Sequence, residues 1–185
     1  MTTIVLSIAA PQDLNTLLVL INEAYRGNHE NSWTNESNLV SGQRISSEML
    51  KVLIDQSNVE KSSEILYVAK AKDPKDCEIL VGCVGISISN TTIEIGTFAV
   101  SPQIQNAGIG TQILLSIEHL ILENYPHIQT LRMWVLDQRF ELIEFYQRKG
   151  YKLTGQLDDY PMEANVGAPM IKVQLLEMRK CINQL

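Results

Sequence analysis

The stretch Val100-Ser-Pro-Gln-Ile-Gln-Asn-Ala-Gly-Ile-Gly-Thr111 joins two segments of opposite character. Before it runs Thr92-Ile-Glu-Ile-Gly-Thr-Phe-Ala-Val100, a β-branched run that predicts a strand. After it, Ile109, Ile113, Ile117, Leu120 and Ile121 recur at helical spacing in a run reaching Tyr125. The order is strand, glycine turn, helix. The first N–H groups of such a helix have no partner inside it, and the helix dipole adds partial positive charge. Successive N–H groups of a tight turn form a concave nest that suits a phosphate. Residues 105–111 are therefore expected to hold a phosphorylated ligand.

Two common phosphate loops do not fit. A Walker loop needs Gly-Lys-Ser/Thr, and here Gly110 is followed by Thr111 and Gln112. A dinucleotide fingerprint needs a third glycine, and that position is Ile113. What remains is Gln105-x-x-Gly108-x-Gly110 after a Val-x-Pro strand exit. It resembles the acyl-CoA-binding motif of the GNAT superfamily of N-acetyltransferases.

The chain has 185 residues, 45% hydrophobic and 19% charged, an ordinary globular balance. Its net charge of −6 argues against nucleic acid or an anionic membrane as the main partner. The first basic residue is Arg26, so Met1 to Leu20 lacks the positive start of a secretory signal. No apolar run is long enough to span a membrane. Cys77, Cys83 and Cys181 are too scattered for a disulfide framework or a zinc site, and His29, His119 and His127 are isolated. A cytoplasmic, metal-free protein is expected.

The flanking chain supplies the other elements. Thr3 to Ile8 reads as a strand. Pro11 and Asp13 open a helix carrying Leu14, Leu17, Leu18, Ile21, Ala24 and Tyr25 on one face, closed at Gly27. Asn28 to Arg44 is a polar loop containing Trp33, long enough to be functional. Ser46 or Ser47 caps a helix with Met49, Val52 and Leu53 as its apolar residues. Strands follow at 65–69 and 79–89, the second forming a hairpin with the Val100 strand, and Gly82 and Gly85 mark bends or close backbone approach. Beyond the long helix come a strand at 131–136 and a short helix carrying Phe140, Leu142, Ile143, Phe145 and Tyr146. Gly150 then caps that helix, a strand spans 151–154, an acidic loop 157–168, and a last strand 170–178. This order predicts one α+β domain over residues 1–185, with a mixed, largely antiparallel sheet flanked by helices.

The same order is similar to GNAT topology, and Phe145-Tyr-Gln-Arg-Lys-Gly-Tyr151 resembles that superfamily's Leu/Phe-Tyr-x-x-x-Gly-Phe/Tyr segment. The resemblance implies an acetyl-CoA-dependent N-acetyltransferase acting on an amine, with the 131–136 strand splaying from the Val100 strand to admit the co-substrate. It implies that backbone N–H groups from Gln105 through Asn106, Ala107, Gly108 and Gly110 to Thr111 cradle the pyrophosphate, and that backbone at Phe98 and Val100 pairs with the pantetheine arm. Tyr146 matches the tyrosine that protonates the leaving thiolate; a free phenol stays protonated at neutral pH (pKa ~10), so it can donate. Glu94, an even number of residues before Phe98 and Val100, is expected on their face. Its offset is similar to that of the general-base glutamate in histone-acetylating members. A water chain is the alternative base.

Two positions depart from the pattern. Asn106 stands where a glycine is common, and it tolerates left-handed backbone. Arg139 stands where an asparagine often helps hold the cofactor; it either reaches a phosphate or lies on the surface, and the surface is the expectation. Acceptor contacts are expected from Tyr25, Trp33, Glu36 and Arg44 on one wall, and from Asp158, Asp159, Tyr160 and Glu163 on the other. Acidic walls would suit a polyamine or an N-terminal amine, whereas Arg44 would equally suit a carboxylate on an amino acid. The family's members often dimerise, so a homodimer is possible. The competing reading is a non-catalytic acyl-CoA-binding domain.

Overall fold

The computed structural model describes residues 4–27, 35–72, 77–104 and 108–182. In chain order the elements are β1 (Val5–Ile8), α1 (Leu14–Arg26), β2 (Val40–Ser41), α2 (Ser47–Ser57), β3 (Glu64–Lys72), β4 (Glu78–Ser89), β5 (Thr92–Val100), α3 (Ile109–Asn124), β6 (Thr130–Leu136), α4 (Phe140–Arg148), β7 (Lys152–Asp159), β8 (Ala168–Pro169) and β9 (Gln174–Cys181). Seven strands form one sheet in the order β1-β3-β4-β5-β6-β9-β7, antiparallel throughout except between β5 and β6. The α+β architecture expected from the sequence is the one found.

Local chemistry sets the boundaries. The Asp13 carboxylate accepts from the Ala10 N–H (2.9 Å) in the turn that opens α1. The Ser46 hydroxyl accepts from the Met49 N–H (3.2 Å) and caps α2. Asn90 turns the β4–β5 hairpin at φ 51°, and Gly150 stops α4 at φ 92°, both left-handed. The polar 28–44 stretch contains the short strand β2, which pairs with β8. β7 runs to Asp159 and β9 spans 174–181, so the last loop starts later and the last strand lies further on than the sequence pattern indicates.

The helices divide over the two faces of the sheet. α1 and α2 pack Leu17, Ile21, Leu50 and Ile54 onto Leu66, Val68, Cys83 and Ala99. Ile113, Leu114 and Ile117 of α3 and Tyr146 of α4 share the other core with Tyr67, Val84, Ile93, Ile95 and Val100. Val52, expected on the buried face of α2, is exposed, and so is Phe140 on α4. Gly82 lets β4 and β5 close up: a Cβ there would stand 2.6 Å from the Ala99 carbonyl oxygen and 2.7 Å from Ile113 Cδ1. The buried Glu118 carboxylate accepts from Tyr151 Oη (2.9 Å) and Lys180 Nζ (2.7 Å), so this buried charge is paired.

Candidate active site

β5 and β6 are paired only at Thr92–Thr130, Ile93–Leu131 and Glu94–Arg132. Beyond Glu94 they part. β6 continues along β9 as far as Leu136, and β5 continues along β4 to Val100. Between them opens a cleft of about 250 Å³, lined among others by Tyr25, Arg44, Glu94, Phe98, Trp134 and Tyr146. The expected splay is present.

A bulge on β5 sits at this opening. Gly96 lies opposite Gly85 and Ala99 opposite Cys83, so β5 carries one residue more than β4 there. Thr97 takes φ 44°, a left-handed conformation that a β-branched residue rarely adopts. The extra residue reverses the alternation of faces. Val100 joins Ile93 and Ile95 under α3, and Phe98 packs against the same core. Glu94 therefore lies on the opposite face from Phe98 and Val100, contrary to the simple period-two count. It faces the α1/α2 side, where its carboxylate accepts from Arg132 Nη2 at 2.8 Å.

Tyr146 enters the cleft from α4. It is buried, with its ring edge-on to Phe145 (5.2 Å) and Tyr151 (5.9 Å). Burial, reinforced by neighbouring Tyr25, raises its pKa well above that of a free phenol. Tyr25 reaches in from α1 and donates its hydroxyl to the Phe98 carbonyl (3.0 Å). Burial pushes its pKa up to about 12.

The cations around the cleft differ in their partners. Arg26 pairs with Glu36 (2.7 Å) and donates to the Val166 carbonyl (3.1 Å). Arg139 is buried, not on the surface as expected, and donates to the Asn35 carbonyl (2.7 Å). Arg132 holds Glu94 and lies 3.9 Å from Glu177. Arg44 lays its guanidinium over the Tyr25 ring at 5.1 Å. Asp158, Asp159 and Glu163 are exposed and do not line the cleft, so that wall is formed by Tyr160, Pro161 and Val166. Sequence reasoning missed Arg26, Arg132 and Trp134. For Arg132 a signal existed, a lone cation inside the apolar Leu131–Leu136 run.

The glycine turn leads directly into α3. Gly108 adopts φ 75° with open space where a Cβ would point, and a Cβ on Gly110 would meet Val100 Cγ2 at an ordinary 3.6 Å. Gly108 is thus required by its backbone angle. Gln105, Asn106, Ala107 and Trp33 lie outside the described residues. Among the described residues no cluster of three or more His, Cys, Asp or Glu side chains could hold a metal, and no helix is long and apolar enough to cross a membrane.

Comparison with known proteins adds the family. The Acetyltransferase (GNAT) domain profile matches residues 62–153, spanning β3 to β7 and therefore the opened strands, the glycine turn and Tyr146. The chain belongs to the GNAT acetyltransferase family. Two Bacillus subtilis (strain 168) proteins are similar to this GNAT chain. The S-(2-succino)cysteine N-acetyltransferase is 38% identical over 61 residues, covering 33% of this chain and 37% of that protein. The uncharacterized protein YdhI is 29% identical over 73 residues, covering 40% and 43% respectively. The matched segments thus span about two fifths of these relatives. Among solved structures, spermidine N-acetyltransferase from Vibrio cholerae, in complex with CoA and spermine, superposes with TM-score 0.68 at 15% identity over 96% of this chain and 95% of that one. The PaiA N-acetyltransferase from Thermoplasma acidophilum, in complex with coenzyme A, gives 0.64 at 20% identity over 97% and 99%. At these identities the likeness is one of GNAT fold.

Proposed function

We propose that this chain is an N-acetyltransferase that moves an acetyl group from acetyl-CoA to a primary amine by direct transfer. The observation that carries this reading is the parting of β5 from β6 beyond Glu94, with Tyr146 and Glu94 lining the opened cleft from opposite faces of the sheet. The residues present fit the co-substrate. N–H groups from Gln105 to Thr111 would hold the pyrophosphate, with the turn set by the left-handed Gly108. Backbone at Phe98 and Val100 would pair with the pantetheine arm as an added strand.

Acetyl-CoA supplies a thioester, whose acyl carbon forms a bond to the amine nitrogen as its bond to sulfur breaks. The Phe98 N–H would donate to the thioester oxygen as negative charge develops there. Glu94, directly or through a water chain, takes the proton the amine loses. Tyr146 donates to the departing thiolate. Burial makes Tyr146 a weaker acid than a free phenol and keeps its proton in place at neutral pH. We assign the whole of residues 1–185 to this one domain and place the reaction in the cytoplasm, where thiols such as Cys83 and Cys181 stay reduced. A homodimer is supported by β7, an edge strand whose eight residues are all exposed, Leu153 and Leu157 included.

Thermal unfolding with acetyl-CoA, CoA and ATP tests the proposal. A ligand at a hundred times its Kd adds ~2.7 kcal/mol to the folded state. For a chain of this length that is a rise of roughly 5–10 °C. Acetyl-CoA raising Tm well beyond ATP, followed by thiol release with an amine panel, is expected. No rise in a folded, CoA-free sample overturns the proposal, and a rise with no thiol release across the panel leaves a binding domain instead.

A further inference from the structure

We infer that Arg44 seats a carboxylate of the acceptor, so that the amine acetylated here belongs to a carboxylated molecule of the amino-acid class rather than to a polyamine. This rests on the acetyltransferase reading given above. Its basis is the unequal commitment of charge around the cleft. Both carboxylates that line it are already bonded to arginine, Glu36 to Arg26 and Glu94 to Arg132. A polyamine would therefore meet neutralised acids. Among the described residues, no carboxylate lies within ion-pairing distance of Arg44, a residue that lines the cleft.

Arg44 is also held in place before any ligand arrives. Asn22 Oδ1 accepts from the backbone N–H groups of Arg44 (2.8 Å) and Ile45 (3.3 Å), and Asn22 Nδ2 donates to the Ile45 carbonyl (3.0 Å). The segment is thus clamped to α1. The guanidinium lies over the ring of Tyr25, whose hydroxyl bonds to the Phe98 carbonyl. One side chain therefore separates Arg44 from the backbone proposed to orient the thioester. A planar guanidinium fixed by stacking keeps its donor fork for a planar carboxylate. The acceptor would lie with its amine toward Glu94 and its acid on Arg44. The acetyl carbon leaves sulfur for that amine nitrogen as in the reaction above, and the acid takes no part in bond making.

The test uses the intact protein, acetyl-CoA and α-amino acids, each beside its own carboxamide and its decarboxylated amine, together with spermidine. Thiol release gives kcat/KM. A hydrogen bond to a charged group is worth about 10- to 100-fold, so the acids are expected to exceed their amides and amines by that factor. Arg44→Met should erase the preference while keeping the acetyl-CoA-induced rise in Tm, which shows that it is folded, and Arg44→Lys should restore part of it. Amides or spermidine turned over as well as the acids, no acid turned over, or a preference that survives Arg44→Met would each overturn the inference. Turnover of spermidine would leave the acetyltransferase reading standing, whereas absence of any acetyl-CoA effect on the wild type would overturn both.

Discussion

The two ends of the β5–β6 seam are built from the same two strands and behave in opposite ways. At Thr92–Glu94 the strands are hydrogen-bonded neighbours, with Ile93 and Leu131 fully buried between them. From Gly96 to Val100 no rung joins them, and each strand pairs with its outer neighbour in the sheet. The open end keeps one strand ladder on each side of the cleft, and the Phe98 carbonyl there is bonded by Tyr25. The closed end shows what packing does when nothing interrupts it. The open end also carries one extra residue, the bulge at Thr97, which changes which side chains of β5 face each side of the sheet.

Substitutions at the two ends should separate chemistry from packing. At the open end, Tyr146→Phe is expected to lower kcat by about 10²-fold, the lower range for a lost general acid, while the acetyl-CoA-induced rise in Tm persists. Steady-state rates beside thermal unfolding check this, and unchanged turnover would remove the acid role. On β4, which backs the open end of β5, Gly82→Ala would drive a Cβ into the Ala99 carbonyl and Ile113. It should destabilise the fold by about 2–3 kcal/mol in urea titrations, the usual scale of overpacking. Glu94→Gln keeps the shape and removes the proton acceptor. It should lower kcat/KM by about tenfold and change the pH–rate profile, at the weak end of general-base effects. A profile identical to the wild type would assign proton removal to water.

The smallest effect concerns the buried phenols beside the cleft. Tyr25 and Tyr146 are raised above the ordinary value of 10.0 by burial, Tyr25 to about 12. Below pH 10 both are protonated whether the chain is folded or not, and their contribution to stability is whole. As pH climbs past 10 the unfolded chain releases these protons and the folded chain retains them. Stability should then fall by about 1.4 kcal/mol per pH unit for each tyrosine. Urea titrations between pH 9 and 11 measure the slope, and Tyr25→Phe should reduce it by one tyrosine's share.

What was legible in the sequence follows the range of the forces involved. The glycine turn, the Ser46 cap and the Gly150 stop are local, and each was readable from neighbouring residues. The splay was readable only through family resemblance, since no single residue encodes a strand's departure. The face of Glu94 was misread because a period-two count assumes an unbroken ladder, and the register across Gly85–Gly96 and Cys83–Ala99 appears only when β4 is laid beside β5. The buried state of Arg139 was hidden for a similar reason, as its bonded carbonyl belongs to Asn35, 104 positions away. Asp158 and Asp159 were placed in a loop by their composition, whereas pairing with β9 draws them into an exposed edge strand.

The small β2–β8 pairing has a consequence for the molecule as a whole. β1 through β5 come from the first part of the chain, and β6 through β9 from the second. Among the described residues, strand pairing joins these parts in two places: three rungs below the opening, and the Val40–Pro169 and Ser41–Ala168 rungs beside it. Strand pairing thus joins two consecutive stretches of chain at two points around a gap. A ligand laid along the parted strands would act as a third joint, and amide exchange should slow in both stretches together when it binds.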